Sequence, residues 1–291
     1  MSKTIDLHTH SYCSDGSMSP TQLVLHAKEQ GLSAIALTDH DTVAGLPEAR
    51  RAARNCGLEL INGIEFSVIA EKGETHILGY FIDDSDPLLL SVIDEMMEDR
   101  RSRNRMVSEN LKKLGMPVSV EEARAEANSE VIGRAHFAKV MVKKGYVGSV
   151  KEAFERVLSP GQPGFFPSLR AQAHQAIEWI RHAGGIAVAA HLHHTQRQGA
   201  DLEAFIRELK GYGLQGVEGY YSEYTPQQHK EFCDLAKKLD LVITGGTDFH
   251  GQMKPHIAIG KGFGGLEIPY GLLEPMKLLT NGRENDTINK D

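Results

Sequence analysis

Two histidines separated by one residue, His8 and His10, follow a short apolar run near the start of the chain. The run 5–7 predicts a buried strand, and side chains two residues apart on a strand point to the same side. Both imidazoles would then face one point, and neutral imidazole is the commonest metal ligand in proteins. Asp15, on a loop beside Gly16, could bring a carboxylate to that point. One H-x-H pair is a weak signal, so the prediction of a metal site depends on the residues downstream.

The same residue types recur at or just beyond the ends of later predicted strands. They are His40, Glu65, His76, His191, Asp248 and His250. With the N-terminal group they make six histidines and three carboxylates. Such a set is enough for up to about three divalent ions, with water completing each shell. Imidazole together with carboxylate favours Mn²⁺, Fe²⁺ or Zn²⁺ over Mg²⁺ and Ca²⁺, which prefer oxygen ligands.

Short apolar runs that alternate with helical patterns are predicted to position these side chains. The predicted strands cover 5–7, 34–37, 58–65, 186–190, 216–220 and 241–244, with a hairpin over 66–79. In a parallel barrel the carboxyl ends of the strands share one face, and active sites lie there. The pattern therefore predicts an α/β barrel that carries the candidate ligands at that face.

A charged, helical stretch interrupts the alternation between 88 and 167. Its first helix contains a basic run, Arg100, Arg101, Arg103 and Arg105. We interpret this run as a solvated helix face that acidic neighbours partly neutralise. The predicted organisation is a barrel formed by 1–87 and 168–280, a helical insertion over 88–167 that caps the substrate, and a frayed polar tail over 281–291.

Composition and charge limit the class of protein. The 291 residues carry a net charge of −7, which argues against a surface that coats DNA. Three scattered cysteines, Cys13, Cys56 and Cys233, are typical of reduced thiols and not of a disulfide framework. No apolar run is long enough to span a bilayer. We therefore expect a cytoplasmic protein with no membrane partner.

These motifs, in this order, resemble those of the polymerase and histidinol phosphatase (PHP) superfamily. The matching segments are Asp6-Leu7-His8-Thr9-His10 with Ser14-Asp15-Gly16, Thr38-Asp39-His40-Asp41, Glu65, His76, His191 and Gly246-Thr247-Asp248-Phe249-His250. The resemblance implies a distorted (β/α)7 TIM-like barrel, the PHP fold, with a trinuclear metal site. By that pattern the first ion is held by His8, His10 and Asp248, and the second by His76 and His191. Glu65 bridges these two ions. The third ion is held by Asp15, His40 and His250.

The insertion resembles that of one subgroup over the segment Ile132-Gly133-Arg134-Ala135-His136-Phe137-Ala138. That subgroup removes the 3′-phosphate from nucleoside 3′,5′-bisphosphates and trims RNA 5′ ends, so the implied substrate is a nucleotide or a short RNA end. The resemblance implies that Arg134 and His136 bind the second, non-reacting phosphate. One departure is Leu192, where the family usually has proline. His194 follows near the place where some members have arginine, and it is a further candidate phosphate ligand.

The implied reaction is hydrolysis of a phosphate ester by a hydroxide held between two metal ions, because such ions lower the pKa of bound water. Glu65, Asp248 and His191 are the predicted catalytic residues of this unit. No serine or cysteine stands in a nucleophile motif, so we expect no phosphoenzyme. Asp39 and Asp41 flank a predicted ligand and are candidates to orient imidazoles or to cap the next helix.

Other functions stay open on the sequence alone. One is hydrolysis of another small monoester such as histidinol phosphate, and the extra anion-binding Arg134 argues against it. Another is a non-catalytic metal-binding module, against which the full ligand set argues. A third alternative is amide hydrolysis or deamination, which other barrel metalloenzymes with an H-x-H motif carry out. The additional ligand set of Asp15, His40 and His250 argues against this alternative.

Overall fold

The computed structural model of the chain describes residues 3–127, 131–167 and 170–288. The chain forms two compact units, one made of Met1–Ser91 with Ala171–Asp291 and the other of Val92–Arg170. We call them the barrel unit and the helical unit. Residues 128–130 of the predicted insertion lie outside the described part of the chain.

One sheet of seven strands, paired in chain order, forms the barrel unit. The strands are β1 (Ile5–Thr9), β2 (Ala34–Leu37), β3 (Glu59–Val68), β4 (Thr75–Tyr80), β5 (Ile186–Ala189), β6 (Gly216–Tyr221) and β7 (Val242–Gly246). All neighbouring pairs are parallel except β3–β4 and β4–β5, because β4 runs opposite to the others. A bridge between Thr9 and Phe249 brings the last strand back to the first. The predicted distorted seven-stranded barrel with a helical insertion is thus confirmed.

Helices connect the strands and build the helical unit. In the described residues the α-helices are α1 (Pro20–Glu29), α2 (Leu46–Cys56), α3 (Pro87–Lys113), α4 (Val120–Ala127), α5 (Arg134–Lys143), α6 (Val150–Ala153), α7 (Ala173–His182), α8 (Gly199–Gly211), α9 (Pro226–Lys238) and α10 (Leu273–Ile288). The tail predicted to fray begins at 281, whereas α10 continues to Ile288, and 289–291 lie outside the described residues. No helix described is both long and apolar enough to cross a membrane.

A hairpin between β3 and β4 brings two candidate ligands to one edge of the sheet. In its register Ser67 lies opposite His76, and Glu65 lies opposite Leu78. Glu65 is therefore inside β3 and not at its end, where the sequence predicts it. Because β4 runs backwards, its first residues lie beside the carboxyl ends of the parallel strands. This reversal is why His76 can reach the site from the start of its strand.

Buried polar contacts close the barrel between β1 and the end of β7. Asp6 accepts hydrogen bonds from the backbone N–H of Thr247 (2.9 Å), from the Thr247 hydroxyl (2.5 Å) and from the N–H of Gly260 (2.8 Å). Gly246 allows a close approach, because a Cβ added there would lie 2.1 Å from the Cβ of His8. A larger residue at 246 would therefore push β7 away from the first candidate ligand.

Apolar packing holds β1 in place. Ile5 and Leu7 are fully buried in a cluster that includes Leu273 and Met276 of α10. Burying an aliphatic side chain of this size stabilises the fold by about 1.5–3 kcal/mol. Since side chains alternate along a strand, His8 points to the opposite face from this cluster and is free to contribute to a polar site.

The helical unit has a hydrophobic core of its own. Val107 and Leu111 of α3 pack with Phe137 and Met141 of α5, and all four are fully buried. Both pairs have a spacing of four residues, which places each pair on one face of its helix. Leu158, at the end of a π-helical turn over Phe154–Leu158, belongs to the same core.

Candidate active site

Glu65 lies at the centre of the site, fully buried on β3. Its Oε1 lies 2.9 Å from Nδ1 of His76 and 3.0 Å from Nε2 of His191. Its Oε2 is 3.1, 3.2 and 3.3 Å from ring nitrogens of His8, His10 and His40. Each carboxylate oxygen therefore faces its own group of imidazoles, which is an arrangement suited to bridging two cations.

Asp248, just after β7, is the second buried carboxylate of the cluster. Its Oδ1 lies 3.2 Å from Nε2 of His10 and 3.3 Å from Nδ1 of His250. Its Oδ2 accepts hydrogen bonds from the hydroxyl of Tyr221 (2.9 Å) and from Nζ of Lys254 (2.6 Å). The two donors hold one oxygen, so the other is directed at the histidines.

Asp15 completes the cluster on the side of His250. Its Oδ1 lies 3.1 Å from Nε2 of His250, and its Oδ2 lies 4.0 Å from Nε2 of His40. The rings of His10 and His250 stack with their centres 4.2 Å apart. The structure thus brings all nine predicted residues into one cluster, and their role as metal ligands stays a prediction.

Side-chain nitrogens and oxygens within 4.8 Å of one another form four sets in the described residues. The sets are His8, His10, Glu65 and Asp248; His10, Asp15, His40 and His250; His40, Glu65 and His76; and His193, His194 and Glu223. The first two contain ion groups that the family resemblance implies. The third set contains His40, whereas the family resemblance implies His191 beside His76 and Glu65. His191 nevertheless contacts the same oxygen of Glu65 as His76 does. The fourth set was not predicted.

The cluster fits divalent cations better than it fits a complete hydrogen-bond network. His10 Nε2 and His40 Nδ1 are buried and have no hydrogen-bond partner among the described residues. Both face Oε2 of Glu65, at 3.2 and 3.3 Å, without the angles of a hydrogen bond. A buried polar atom without a partner costs about 1–3 kcal/mol. A cation among these lone pairs would remove that cost, so the donor set matches a metal site.

The protonation states of the imidazoles differ. Burial alone would lower the pKa of His10, but the nearby carboxylates of Asp248 and Glu65 raise it to about 9. Burial lowers the pKa of His40 to about 4 and the pKa of His191 to about 3. The last two imidazoles are therefore neutral near pH 7 and can offer a lone pair directly. A cation at His10 must displace a proton.

Sequence reasoning missed Glu218, which lies fully buried within β6. Its Oε1 accepts a hydrogen bond from Nδ1 of His8 (3.0 Å), and its Oε2 accepts one from the backbone N–H of His191 (2.7 Å). Tyr221 and Lys254, which hold Asp248, were missed as well. The sequence signal that could have identified Glu218 is a carboxylate inside an apolar strand. A buried charge requires a partner, so such a residue is expected to contact another polar group.

Asp39 holds a loop and not an imidazole. Its Oδ1 accepts hydrogen bonds from the N–H of Ser11 (2.7 Å) and from the hydroxyl of Ser14 (2.6 Å), and its Oδ2 accepts one from the Ser11 hydroxyl (2.6 Å). Asp15 is the next residue, so Asp39 positions the loop that carries this carboxylate. Asp41 likewise accepts a hydrogen bond from a backbone N–H of β3 (3.1 Å).

Two site residues adopt a left-handed backbone conformation that is rare for residues other than glycine. The φ angle is 25° at His191 and 57° at Asp248. Such conformations cost about 1–3 kcal/mol each and cluster at functional sites, where surrounding contacts maintain them. The N–H of His191 is bound by Glu218, and the side chain of Asp248 is bound by Tyr221 and Lys254. The residues that sequence reasoning missed are thus the ones that stabilise this strain.

Two of the three predicted phosphate-binding residues lie on the helical unit. Nη1 of Arg134 donates to the carbonyl of Leu158 (3.1 Å), and its guanidinium lies 5.1 Å from the ring centre of Phe165. His136 is buried, and its Nδ1 accepts a hydrogen bond from the N–H of Gly133 (3.0 Å), which caps α5. Both side chains therefore have structural contacts of their own, and their phosphate-binding roles remain predictions.

The third, His194, lies on the barrel unit beside the cluster. Its ring packs edge-on against His191 with the ring centres 4.9 Å apart. His193 and His194 both approach Oε2 of Glu223, at 3.3 and 3.9 Å. This histidine pair follows the position where Leu192 replaces the usual proline, and Leu192 itself is fully buried. The role of His194 toward phosphate remains a prediction.

A nearly closed seven-stranded barrel that gathers buried imidazoles and carboxylates at one end is typical of metal-dependent hydrolases. The comparison with known families then gives the family. Residues 6–252 match the PHP domain, so the chain belongs to this family, and it is a metal-dependent phosphoesterase. The resemblance read from the sequence motifs is confirmed.

Two relatives that cover most of the chain have nucleic-acid or nucleotide activities in their names. The chain is 38% identical over 250 residues to a 5′-3′ exoribonuclease of Haemophilus influenzae, covering 86% of this chain and 91% of the relative. It is 34% identical to a 3′,5′-nucleoside bisphosphate phosphatase of Chromobacterium violaceum, covering 84% and 87%. A solved structure from Bifidobacterium adolescentis, provisionally described as a metal-dependent phosphoesterase, superposes with a TM-score of 0.80 at 28% identity, covering 95% and 96%.

Proposed function

We propose that this protein removes the 3′-phosphate of nucleoside 3′,5′-bisphosphates and trims RNA chains from a 5′-phosphorylated end. The observation that carries the proposal is the convergence of five imidazoles on the two oxygens of Glu65. That geometry supports metal-assisted hydrolysis of a phosphate ester. The names of the two curated relatives supply the substrate class.

Up to three divalent ions, Mn²⁺, Fe²⁺ or Zn²⁺, are held by the cluster. The proposed ligands are His8, His10, Asp15, His40, Glu65, His76, His191, Asp248 and His250. When bound, the ions supply a lowered pKa for water and neutralise charge on the phosphate oxygens. The mixture of imidazole and carboxylate donors supports these metals over Mg²⁺ and Ca²⁺.

The chain's own residues position this unit. Glu218 accepts the Nδ1 proton of His8, which leaves Nε2, 3.1 Å from Glu65, as the nitrogen that would bind a cation. Tyr221 and Lys254 hold one oxygen of Asp248 and leave the other for the cluster. Preorganised side chains of this kind need little rearrangement during reaction, which is how enzymes stabilise developing charge.

Substrate recognition is assigned to three further side chains. Arg134 binds the non-reacting phosphate through two parallel N–H bonds, as arginine commonly does. His136 assists it, and His194 contacts the phosphate from beside the cluster. The segment 88–167 is proposed to cap the substrate.

The proposed location is the cytoplasm. Three cysteines that are not in disulfides support it, namely Cys13, Cys56 and Cys233.

A substrate panel tests the proposal. The purified protein, loaded in turn with Mn²⁺, Fe²⁺ and Zn²⁺, is assayed for phosphate release from a nucleoside 3′,5′-bisphosphate, a mononucleotide and histidinol phosphate. The bisphosphate should be the best of the three. A preference for histidinol phosphate would overturn the substrate assignment and favour the small-monoester alternative. Metal binding without release from any phosphate ester would instead favour the non-catalytic alternative.

A further inference from the structure

A basic groove lies within the helical unit, and its lining residues have no role in the proposed reaction. It encloses about 500 Å³ between α3, α4 and Ile132. Arg101 and Arg105 line it from α3, one helical turn apart, and Arg124 lines it from α4. A turn of helix rises about 5.4 Å, so the groove presents a row of guanidinium groups and not a single charge.

The charge of this unit contrasts with the rest of the chain. Between 92 and 170 there are fourteen Lys or Arg and eleven Asp or Glu, a formal charge of +3, while the whole chain has −7. The remaining 212 residues therefore carry −10. A positive unit on an acidic protein favours a localised site for a polyanion.

In the part of the unit that the structure describes, two carboxylates lie near the exposed groove arginines. Glu98 is shared by Arg101 (3.3 Å) and Arg105 (3.2 Å), and all three side chains are about 60% exposed. Exposed pairs of this kind contribute little stability, so a ligand can compete for the arginines. Glu121 is the acidic residue among those that line the groove. Among the described lining residues, four arginines stand against one glutamate, which is an excess of positive charge.

A buried arginine beneath the groove adds to the positive potential. Arg103 is buried, and its Nη2 donates to Oδ1 of Asn104 (2.8 Å) and to the carbonyl of Ile132 (3.1 Å). Burial together with the charges of Arg100 and the nearby arginines of the unit lowers the pKa of Arg103 to about 9. Asn104 and Ile132 line the groove themselves, so this guanidinium is fixed directly behind its wall.

We propose that this groove binds the phosphodiester backbone of an RNA chain downstream of its 5′ end. The inference rests on the proposed function and deepens it, because it assigns a place to the part of the substrate that a mononucleotide lacks. Its described lining contains Met97 and Val120 but no aromatic residue on which a base could stack. Recognition is therefore through phosphate charge, tolerant of sequence and sensitive to salt.

Binding by charge-reversal variants tests the groove. Arg101→Glu with Arg124→Glu reverses two charges that line it. Lys151→Glu with Arg156→Glu makes the same change on exposed residues of the same unit that do not line it. Full-length, metal-loaded proteins are titrated into a labelled RNA of about ten nucleotides, 5′-phosphorylated and with phosphorothioate linkages, whose integrity is checked afterwards. Circular dichroism confirms that each variant is folded.

The groove variant should raise the Kd for RNA by at least about ten-fold at low salt. It should also reduce the slope of log Kd against log salt concentration by about 1.4, because each of the two lost phosphate contacts contributes about 0.7. The control should change the Kd by less than about three-fold. Equal effects of the two variants, or no binding of RNA by the wild type, would overturn the inference. Displacement of the RNA by a polyglutamate of the same length at equal concentration would also overturn it.

Phosphate release from a nucleoside bisphosphate by the wild type is measured in parallel, because it reports on the proposed function alone. Release of phosphate with RNA binding that is independent of the groove would refute the groove and leave the proposed function standing. Binding of RNA that depends on the groove, without phosphate release, would refute the proposed function and leave the groove standing.

Discussion

Nδ1 of His8 and Oε1 of Glu218 lie 3.0 Å apart, and both side chains are fully buried. The other oxygen of Glu218 accepts the backbone N–H of His191 at 2.7 Å. One carboxylate on β6 therefore orients an imidazole on β1 and the backbone that follows β5. A carboxylate behind a metal-binding histidine fixes the ring and its tautomer, and raises the basicity of the ligating nitrogen.

Glu218→Gln should lower metal affinity about 10- to 100-fold while the fold is kept. The amide conserves the shape but offers a weaker acceptor to His8. Metal affinity is measured by competition with a chromophoric chelator. Glu231→Gln, on the exposed face of α9, is the control, since Glu231 lies outside the four sets of candidate ligands. Unchanged affinity in Glu218→Gln would mean that His8 needs no orienting partner.

Metal binding should release protons in a way that depends on pH. In the protein without ions the pKa of His10 is raised from 6.5 to about 9, as Asp248 and Glu65 outweigh the effect of burial. Below that value a metal must displace a proton from His10, so affinity should rise as the pH rises toward 9. Calorimetric titrations at pH 7.5 in buffers of different ionisation enthalpy measure the release directly. Identical heats in all buffers would contradict the raised pKa.

Acid stability should depend on Glu59, which begins β3 and contacts the C-terminal elements. Burial would raise the pKa of Glu59, but hydrogen bonds from Lys277 (2.8 Å) and Tyr270 (2.5 Å) outweigh it and hold the pKa below 4.5. A lowered pKa in the folded state stabilises the protein above the unfolded value, and that stabilisation is lost as pH falls through the folded pKa.

Glu59→Gln should therefore lower the free energy of unfolding at neutral pH and flatten its decline below pH 4.5. Urea denaturation at a series of pH values measures both effects. Glu231→Gln, on the exposed face of α9, serves as the control. A decline as steep as that of the wild type would show that the contact between β3 and the C-terminal elements does not contribute to acid unfolding.

Arg134→Ala should reduce kcat/KM for a nucleoside bisphosphate far more than for p-nitrophenyl phosphate. A lost charged hydrogen bond costs roughly 1.5–3 kcal/mol, or about ten- to a hundred-fold. Because Arg134 also contacts Leu158 and Phe165, the thermal stability of the variant is measured beside its activity. Lys139→Ala on the same helix is the control. Equal losses on both substrates would place Arg134 at the reacting phosphate or make it structural.

The sequence was sufficient to predict the strands and the cluster because both have strong local signals. Apolar runs mark the strands, and histidines at successive strand ends mark the site. Glu65 shows one limit: the sequence predicts it at the end of a strand over 58–65 with a separate hairpin over 66–79, whereas β3 continues through Glu65 to Val68 and pairs there with β4. Similarly, nothing near Glu218 in sequence indicates that it reaches His8, 210 residues away.

The charged helix of the insertion shows a different limit. Its basic run was interpreted as a solvated face, and Arg101 and Arg105 are indeed exposed, whereas Arg103 is buried behind the groove. Periodicity places these residues around one helix, but the partner helix α4 decides which of them line a groove. That partner could not be identified from the spacing of charges alone.

Glu65 is proposed to bridge the metal ions that carry out hydrolysis, and the variant Glu65→Gln tests this role most directly. The amide keeps the size of the side chain but removes the charge that faces five imidazoles. Metal content by elemental analysis and phosphate release from a nucleoside 3′,5′-bisphosphate are measured on the same preparation. We predict fewer bound ions and no detectable hydrolysis in a folded protein. Turnover near that of the wild type would contradict the claim, because the cluster around Glu65 would then not be the catalytic unit.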